Sequence, residues 1–138
     1  MSEIEHRAEV EIVVSFNDCD PMGVVWHGHY FRFFEAAREA LLRSVNYSYN
    51  EMAASGYVWP VVDARVKYRL PIRCEETLRV SAAITEYENR LRIDYIIRNA
   101  VGQVTTKAHT IQVAVDQTTQ EMCFVSPAIL FERLGVQP

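Results

Sequence analysis

Cysteine, glycine and proline are all scarce in this 138-residue chain, which has three, five and five of them. That scarcity excludes a disulfide-framed mini-domain, a collagen-like repeat and a proline-rich linker protein. The three cysteines, Cys19, Cys74 and Cys123, have no framework spacing. An odd number without a pattern is expected to remain as free thiols in a reducing compartment. No apolar run reaches the length of a membrane span. The first residues, MSEIEHRAEVEI, are charged and lack the apolar stretch of a signal peptide, so a cytoplasmic location is expected. A basic excess is missing as well: 14 basic residues face 18 acidic ones, for a net charge of −4. Such a chain has no long-range attraction to nucleic acid or to an anionic membrane, and any phosphate it binds must be met locally. Repeats and linkers are absent, and the length suits a single domain over residues 1–138. What remains is ordinary globular composition, 49% apolar and 23% charged. A chain of this size buries roughly two-thirds of its unfolded surface, enough for a real core.

The hydrophobic pattern changes period along the chain. Residues 9–16 (EVEIVVSF) are β-rich and begin with alternation, which predicts a strand. The turn-rich run 17–23 (NDCDPMG) ends it. From about His29 to Val45, Tyr30, Phe33, Phe34, Ala37, Leu41 and Val45 follow helical spacing, and Phe31, Ala36 and Ala40 widen the apolar stripe. A helix this apolar is expected to be wrapped by something larger. A short helical or irregular segment is expected over 47–56, with Gly56 as its stop. Four strands are then expected, over 61–70, 77–87, 90–99 and 103–116, with Glu88-Asn89 and 100–102 as hairpin turns. Pro127 opens and Gly135 closes a short terminal helix. The fold class is therefore α+β: a five-stranded antiparallel sheet, its last four strands a meander, curled round one long helix. Free sheet edges and residual outward apolar residues are relieved if two copies pair edge to edge along 61–70, so at least a homodimer is expected.

The densest polar cluster, Asp18, Cys19, Asp20, His27 and His29, lies between the first strand and the long helix. Three chemistries compete for it. Turn and cap duty is the ordinary fate of Asp in such a connection and suits Asp18. Metal ligation fits by residue type but not by spacing, since His27 and His29 at i, i+2 do not face each other on a helix; no metal or other cofactor is expected. Catalysis is the third reading. A helix amino terminus offers unpaired N–H groups and partial positive charge, which stabilise the oxyanion of an acyl carbonyl. Gly28 permits close approach to the backbone. Asp20, ionised at neutral pH, can attack that carbonyl or activate a water. With no strong proton donor nearby, the leaving group must depart as an anion. A thiolate fits that demand better than an amine or alkoxide, so the chemistry favours a thioester.

Residues 17–38, NDCDPMGVVWHGHYFRFFEAAR, resemble the signature of the 4-hydroxybenzoyl-CoA thioesterase family of hot-dog-fold acyl-CoA thioesterases. The similarity continues through Tyr68-Arg69-Leu70-Pro71 and the following strands. The resemblance implies the hot-dog fold, with dimers assembled into tetramers, and an acyl-CoA substrate. It makes Asp20 the catalytic nucleophile or general base and puts His27 where a backbone N–H polarises the thioester carbonyl. Gly28, by its open backbone, and Tyr30 and Phe34, as walls of the acyl pocket, are expected to contact the substrate; the resemblance adds a basic turn for the coenzyme A phosphates, here 87–92, with Arg90 as first choice and Arg92 second. Glu35 falls where relatives carry an acid in the helix, and here it is expected to pair with Arg38 or Arg32. Asp18-Cys19-Asp20-Pro21 resembles the hydroxybenzoyl branch, whereas Trp26-His27 resembles the aliphatic acyl-CoA branch linked to the Tol–Pal system. Two other functions compete: a non-catalytic acyl-CoA binding or sensing module, and a hydroxyacyl-thioester dehydratase, whose His-Phe-Pro type motif is absent from this sequence.

Overall fold

The computed structural model describes residues 6–137. Strand β1 (Arg7–Val13) leads into a long connection and helix α1 (Tyr30–Ser44). Helix α2 (Tyr49–Ala54) and strand β2 (Tyr57–Val58) follow, then β3 (Val61–Tyr68), β4 (Thr77–Glu86), β5 (Leu91–Arg98), β6 (Val104–Gln112), the short β7 (Val115–Asp116) and helix α3 (Ala128–Leu134). The five long strands form one antiparallel sheet in the order β1-β4-β5-β6-β3.

Period-two alternation decides which side of each strand is buried. Leu78, Val80 and Ala82 on β4, and Leu91, Ile93, Tyr95 and Ile97 on β5, point to the helix and are buried. Helix α1 answers with Phe33, Phe34, Ala37, Leu41 and Leu42, all buried, and packs on β1, β4 and β5. This is the sheet-round-helix architecture expected from the sequence. The wrapping is one-sided: Phe31, Arg32, Glu35 and Glu39 remain exposed on α1.

Three details correct the sequence expectations. The strand expected over 9–16 ends at Val13, because Ser15 and Asp18 form a capping box that turns residues Phe16–Asp18 into a 3-10 turn. The strand expected over 103–116 is two pieces: β6 stops at Gln112, and β7 leaves the sheet to pair with β2. The meander has three strands, not four. β3 does not pair with β4; it lies beyond β6, so it is an edge for a reason of topology rather than of chain order. The terminal helix is as expected, with Gly135 in the left-handed conformation at its end (φ +69°).

Candidate active site

The connection from β1 to α1 folds back on itself as a small hairpin. Asp20 N–H donates to the Val24 carbonyl (2.8 Å) and Trp26 N–H to the Asp18 carbonyl (3.0 Å), with Cys19 bridged to Val25 between them. Pro21, Met22 and Gly23 make the turn, and Gly23 supplies the positive φ (+80°) that the reversal requires. One limb therefore carries Asp20, and the other runs directly into a 3-10 turn, His27–His29, that opens α1.

The two aspartates do different work. Asp18 is buried, 5% exposed, and receives hydrogen bonds from the Ser15 backbone N–H (3.1 Å) and hydroxyl (3.0 Å). Arg32, in the first turn of α1, grips both its carboxylate oxygens. Burial pushes the Asp18 carboxyl up, but the hydrogen bonds from Arg32 and Ser15 and the Arg32 charge together outweigh it and hold the group below its ordinary value. Asp18 thus fastens the loop to the helix, the capping role expected for it. His29 Nδ1 lies 3.2 Å from the Asp18 carbonyl and strengthens the same junction. Asp20 is half-buried and uses Oδ1 alone, accepting from Met22 N–H at 2.9 Å and more weakly from Val24 N–H at 3.4 Å. Among the described residues nothing bonds Oδ2.

At the helix start, His29 N–H donates to the Trp26 carbonyl and Tyr30 N–H to the His27 carbonyl. The N–H groups of His27 and Gly28 come first in the turn and have no acceptor among the described residues. The His27 carbonyl also accepts from the Tyr68 hydroxyl at 3.1 Å, so the end of β3 holds the turn from outside. In the sequence Tyr68 figures only as part of the strand 61–70 and of the family-like run Tyr68-Arg69-Leu70-Pro71, with no role assigned to it. A Cβ on Gly28 would run into the Trp26 six-membered ring, so the room that glycine leaves is filled by the indole.

Tyr30 and Phe34 lie beneath the turn, 3% and 1% exposed. Tyr30 meets the Tyr68 ring edge-on (4.7 Å between centroids), and Phe34 rests against Tyr95 (4.9 Å). Burial first, then the neighbouring Tyr68, push the Tyr30 phenol up to about 12, so it is a proton donor and not a base at neutral pH. Arg90 stands apart in the β4–β5 turn, its Nε 3.1 Å from each carboxylate oxygen of Glu86. No hydrogen bond joins Asp20 to His27, and Asp20, His27, Gly28, Tyr30 and Phe34 line neither the groove over β3, β5 and β6 nor the one beside the β5–β6 turn. The surface around the loop is instead open and apolar: Phe16 (82% exposed), Met22, Trp26, Phe31 and Tyr68 are all exposed.

Two expectations fail here. Cys19 and Cys74 are not free thiols. They pair as a disulfide, with Cα atoms 6.0 Å apart, and only Cys123 is free. Their separation of 55 residues conceals the Val24–Arg73 bridge, which lays the β3–β4 connection beside the loop. Glu35 has no ion pair among the described residues. Arg32 is taken by Asp18, and buried Arg38 points to the Tyr49 hydroxyl (2.8 Å) and toward that of Tyr95 (3.4 Å). The five residues weighed as metal ligands share no common centre, since Asp18 faces Arg32 and Cys19 faces Cys74.

Residues 14–131 match the Thioesterase-like superfamily. The chain is 32% identical over 113 residues to YneP of Bacillus subtilis, covering 81% of this chain and 82% of that protein. It is 31% identical over 104 residues to the acyl-CoA thioester hydrolase YbgC of Escherichia coli O157:H7, covering 75% and 78%. The crystal structure of a DHNA-CoA thioesterase from Staphylococcus aureus superposes with a TM-score of 0.79 at 28% identity, over 86% of this chain and 80% of that one. With the match running from the end of β1 into α3, and relatives above 30% identity along most of their own length, the chain belongs to the thioesterase-like superfamily.

Proposed function

We propose that this chain is an acyl-CoA thioesterase, converting a thioester and water into a carboxylic acid and free coenzyme A. The observation that carries this reading is the hairpin, which sets a carboxylate with one unengaged oxygen on one limb and a turn with two unpartnered N–H groups at the end of the other. The acyl carbonyl oxygen lies against the N–H groups of His27 and Gly28, where the helix start favours negative charge. Asp20 Oδ2 takes a proton from water as that water attacks the carbonyl carbon, or attacks the carbon itself to give an anhydride that water then opens. The tetrahedral intermediate collapses with cleavage of the C–S bond, and the thiolate leaves without needing an acid. The apolar surface round the loop becomes the acyl pocket when a second copy pairs along β3, with Tyr30 and Phe34 as its floor. Arg90 serves the coenzyme A phosphates once Glu86 releases it.

The relatives' names support the reaction class, because YbgC is an acyl-CoA thioester hydrolase and the Staphylococcus protein a DHNA-CoA thioesterase. A panel of aliphatic and aromatic acyl-CoA esters, with a thiol-reactive dye as readout, tests it. Asp20→Asn is expected to lower thiol release at least 100-fold while leaving circular dichroism and melting temperature within error of the parent. Undiminished turnover by that variant would remove the mechanism. Single turnover in 18O-water labels Asp20 only if an anhydride forms and water opens it at the aspartyl carbonyl, and trapping of an acylated Asp20 by rapid quench and mass spectrometry reports an anhydride opened at either carbonyl.

A further inference from the structure

We infer that the outer face of the sheet, on the side away from α1, carries a site for a small anion bearing two phosphoryl groups. Arg65 and Lys67 of β3, Lys107 and His109 of β6, and Arg92 of β5 point outward into one groove of about 370 Å3, with Asp94 as its single carboxylate. The register makes this placement costly for the bare protein. Lys67 stands directly opposite Lys107, and Arg65 directly opposite His109, on adjacent rungs of the β3–β6 ladder. The two lysines, like charges facing each other across strands, oppose pairing. Asp94 does not offset them, because its Oδ1 is held by Arg92 Nε (3.2 Å) and Nη2 (3.1 Å). Arg65, Lys67 and Lys107 have no ion-pair partner among the described residues. His109 Nδ1 faces Arg92 Nη2 at 3.4 Å as acceptor, which leaves the proton of the neutral ring on Nε2 as a further donor.

Four cations against one already engaged carboxylate stand out on a chain whose net charge is −4. Two rungs of donors, about 7 Å apart along the strands, match an anion with two phosphoryl groups better than a single phosphate. Arg65 and Arg92 suit phosphoryl oxygens, and the lysines supply point charge. The site stands apart from Asp20, and its test needs no turnover. Such an anion has two sources, the nucleotide end of a coenzyme A ester or a free diphosphate.

Isothermal titration of the full chain with sodium pyrophosphate, at fixed ionic strength, is expected to give saturable binding of one anion per chain, at least tenfold tighter than orthophosphate. The Lys67→Gln/Lys107→Gln double variant should lose at least tenfold in affinity yet melt no lower than the parent when ligand-free, because a repulsion has been removed. Arg43→Gln, on α1, should bind as the parent does. Displacement of pyrophosphate by coenzyme A, with a raised KM and unchanged kcat in the double variant, identifies the substrate's nucleotide as occupant. Undisturbed pyrophosphate binding to protein saturated with coenzyme A identifies a free diphosphate. Absence of saturable binding, affinity equal to orthophosphate, or full retention of binding in the double variant would overturn the proposal.

Discussion

Two carboxylates separated by a single residue have opposite fates, and what surrounds each decides which. Asp18 is enclosed by Ser15 and Arg32, whereas Asp20 spends one oxygen on its own turn and keeps the other. The sequence could announce a capping Asp and a turn beside Pro21, but not that Arg32, fourteen residues on, would complete the enclosure. Asp18→Asn removes the ionic half of that junction and is expected to lower unfolding free energy by about 1–3 kcal/mol, read from urea denaturation at pH 7. The sign of the pH effect follows from the lowered Asp18 value. A carboxyl held below its unfolded value, about 3.9, contributes stability that is fully present above that pH and is lost as pH falls through the folded value. The stability gap between parent and Asp18→Asn should therefore be constant from pH 6 to 8 and close in acid. Gly28 makes a second residue-scale case: Gly28→Ala forces the Trp26 indole aside. A shift in Trp emission and a loss of about 1 kcal/mol are expected, because the ring is half exposed and able to move.

At the scale of elements, what was legible is what local chemistry dictates. Helix α1 was readable to within a residue because its apolar spacing and long side chains leave one period open. The α3 boundaries followed from Pro127 and Gly135. The 3-10 turn before α1 was not readable, since it depends on the Trp26 ring over Gly28 and on Tyr68 bonding the His27 carbonyl. Arg38 escaped for a similar reason. An arginine on a helix face reads as solvated, yet this one is buried with the hydroxyls of Tyr49 and Tyr95, and Tyr95 in turn meets Thr110 at 2.8 Å. That chain of polar contacts ties α1 to β5 and β6 across the core. Tyr95→Phe leaves the guanidinium and the Thr110 hydroxyl short of a partner. It should cost about 1–3 kcal/mol in thermal or denaturant unfolding, more than Tyr49→Phe at the half-exposed end of the same group.

The whole molecule was the least legible level, because strand order is settled by contacts far apart in sequence. Nothing in residues 61–70 says that they pair with 106–112 rather than with the next strand, and the disulfide between Cys19 and Cys74 is hidden by the same distance. The consequence for assembly is that β3 offers one fully open edge, with Val61 and Val62 exposed on it. If a second copy completes the acyl pocket, specific activity should fall as the protein is diluted through its dissociation constant, in step with the shift from dimer to monomer by sedimentation. A site complete in one chain would keep its specific activity throughout. Tyr68 gives this edge a further meaning. On the proposed reading, the strand that would recruit a neighbour also steadies, through one phenolic hydroxyl, the carbonyl of the turn proposed to receive the sulfur ester. Recruitment and reactivity then share a mechanical part: a peptide that captured this edge by adding itself as an extra strand would disturb the reacting turn without ever touching Asp20.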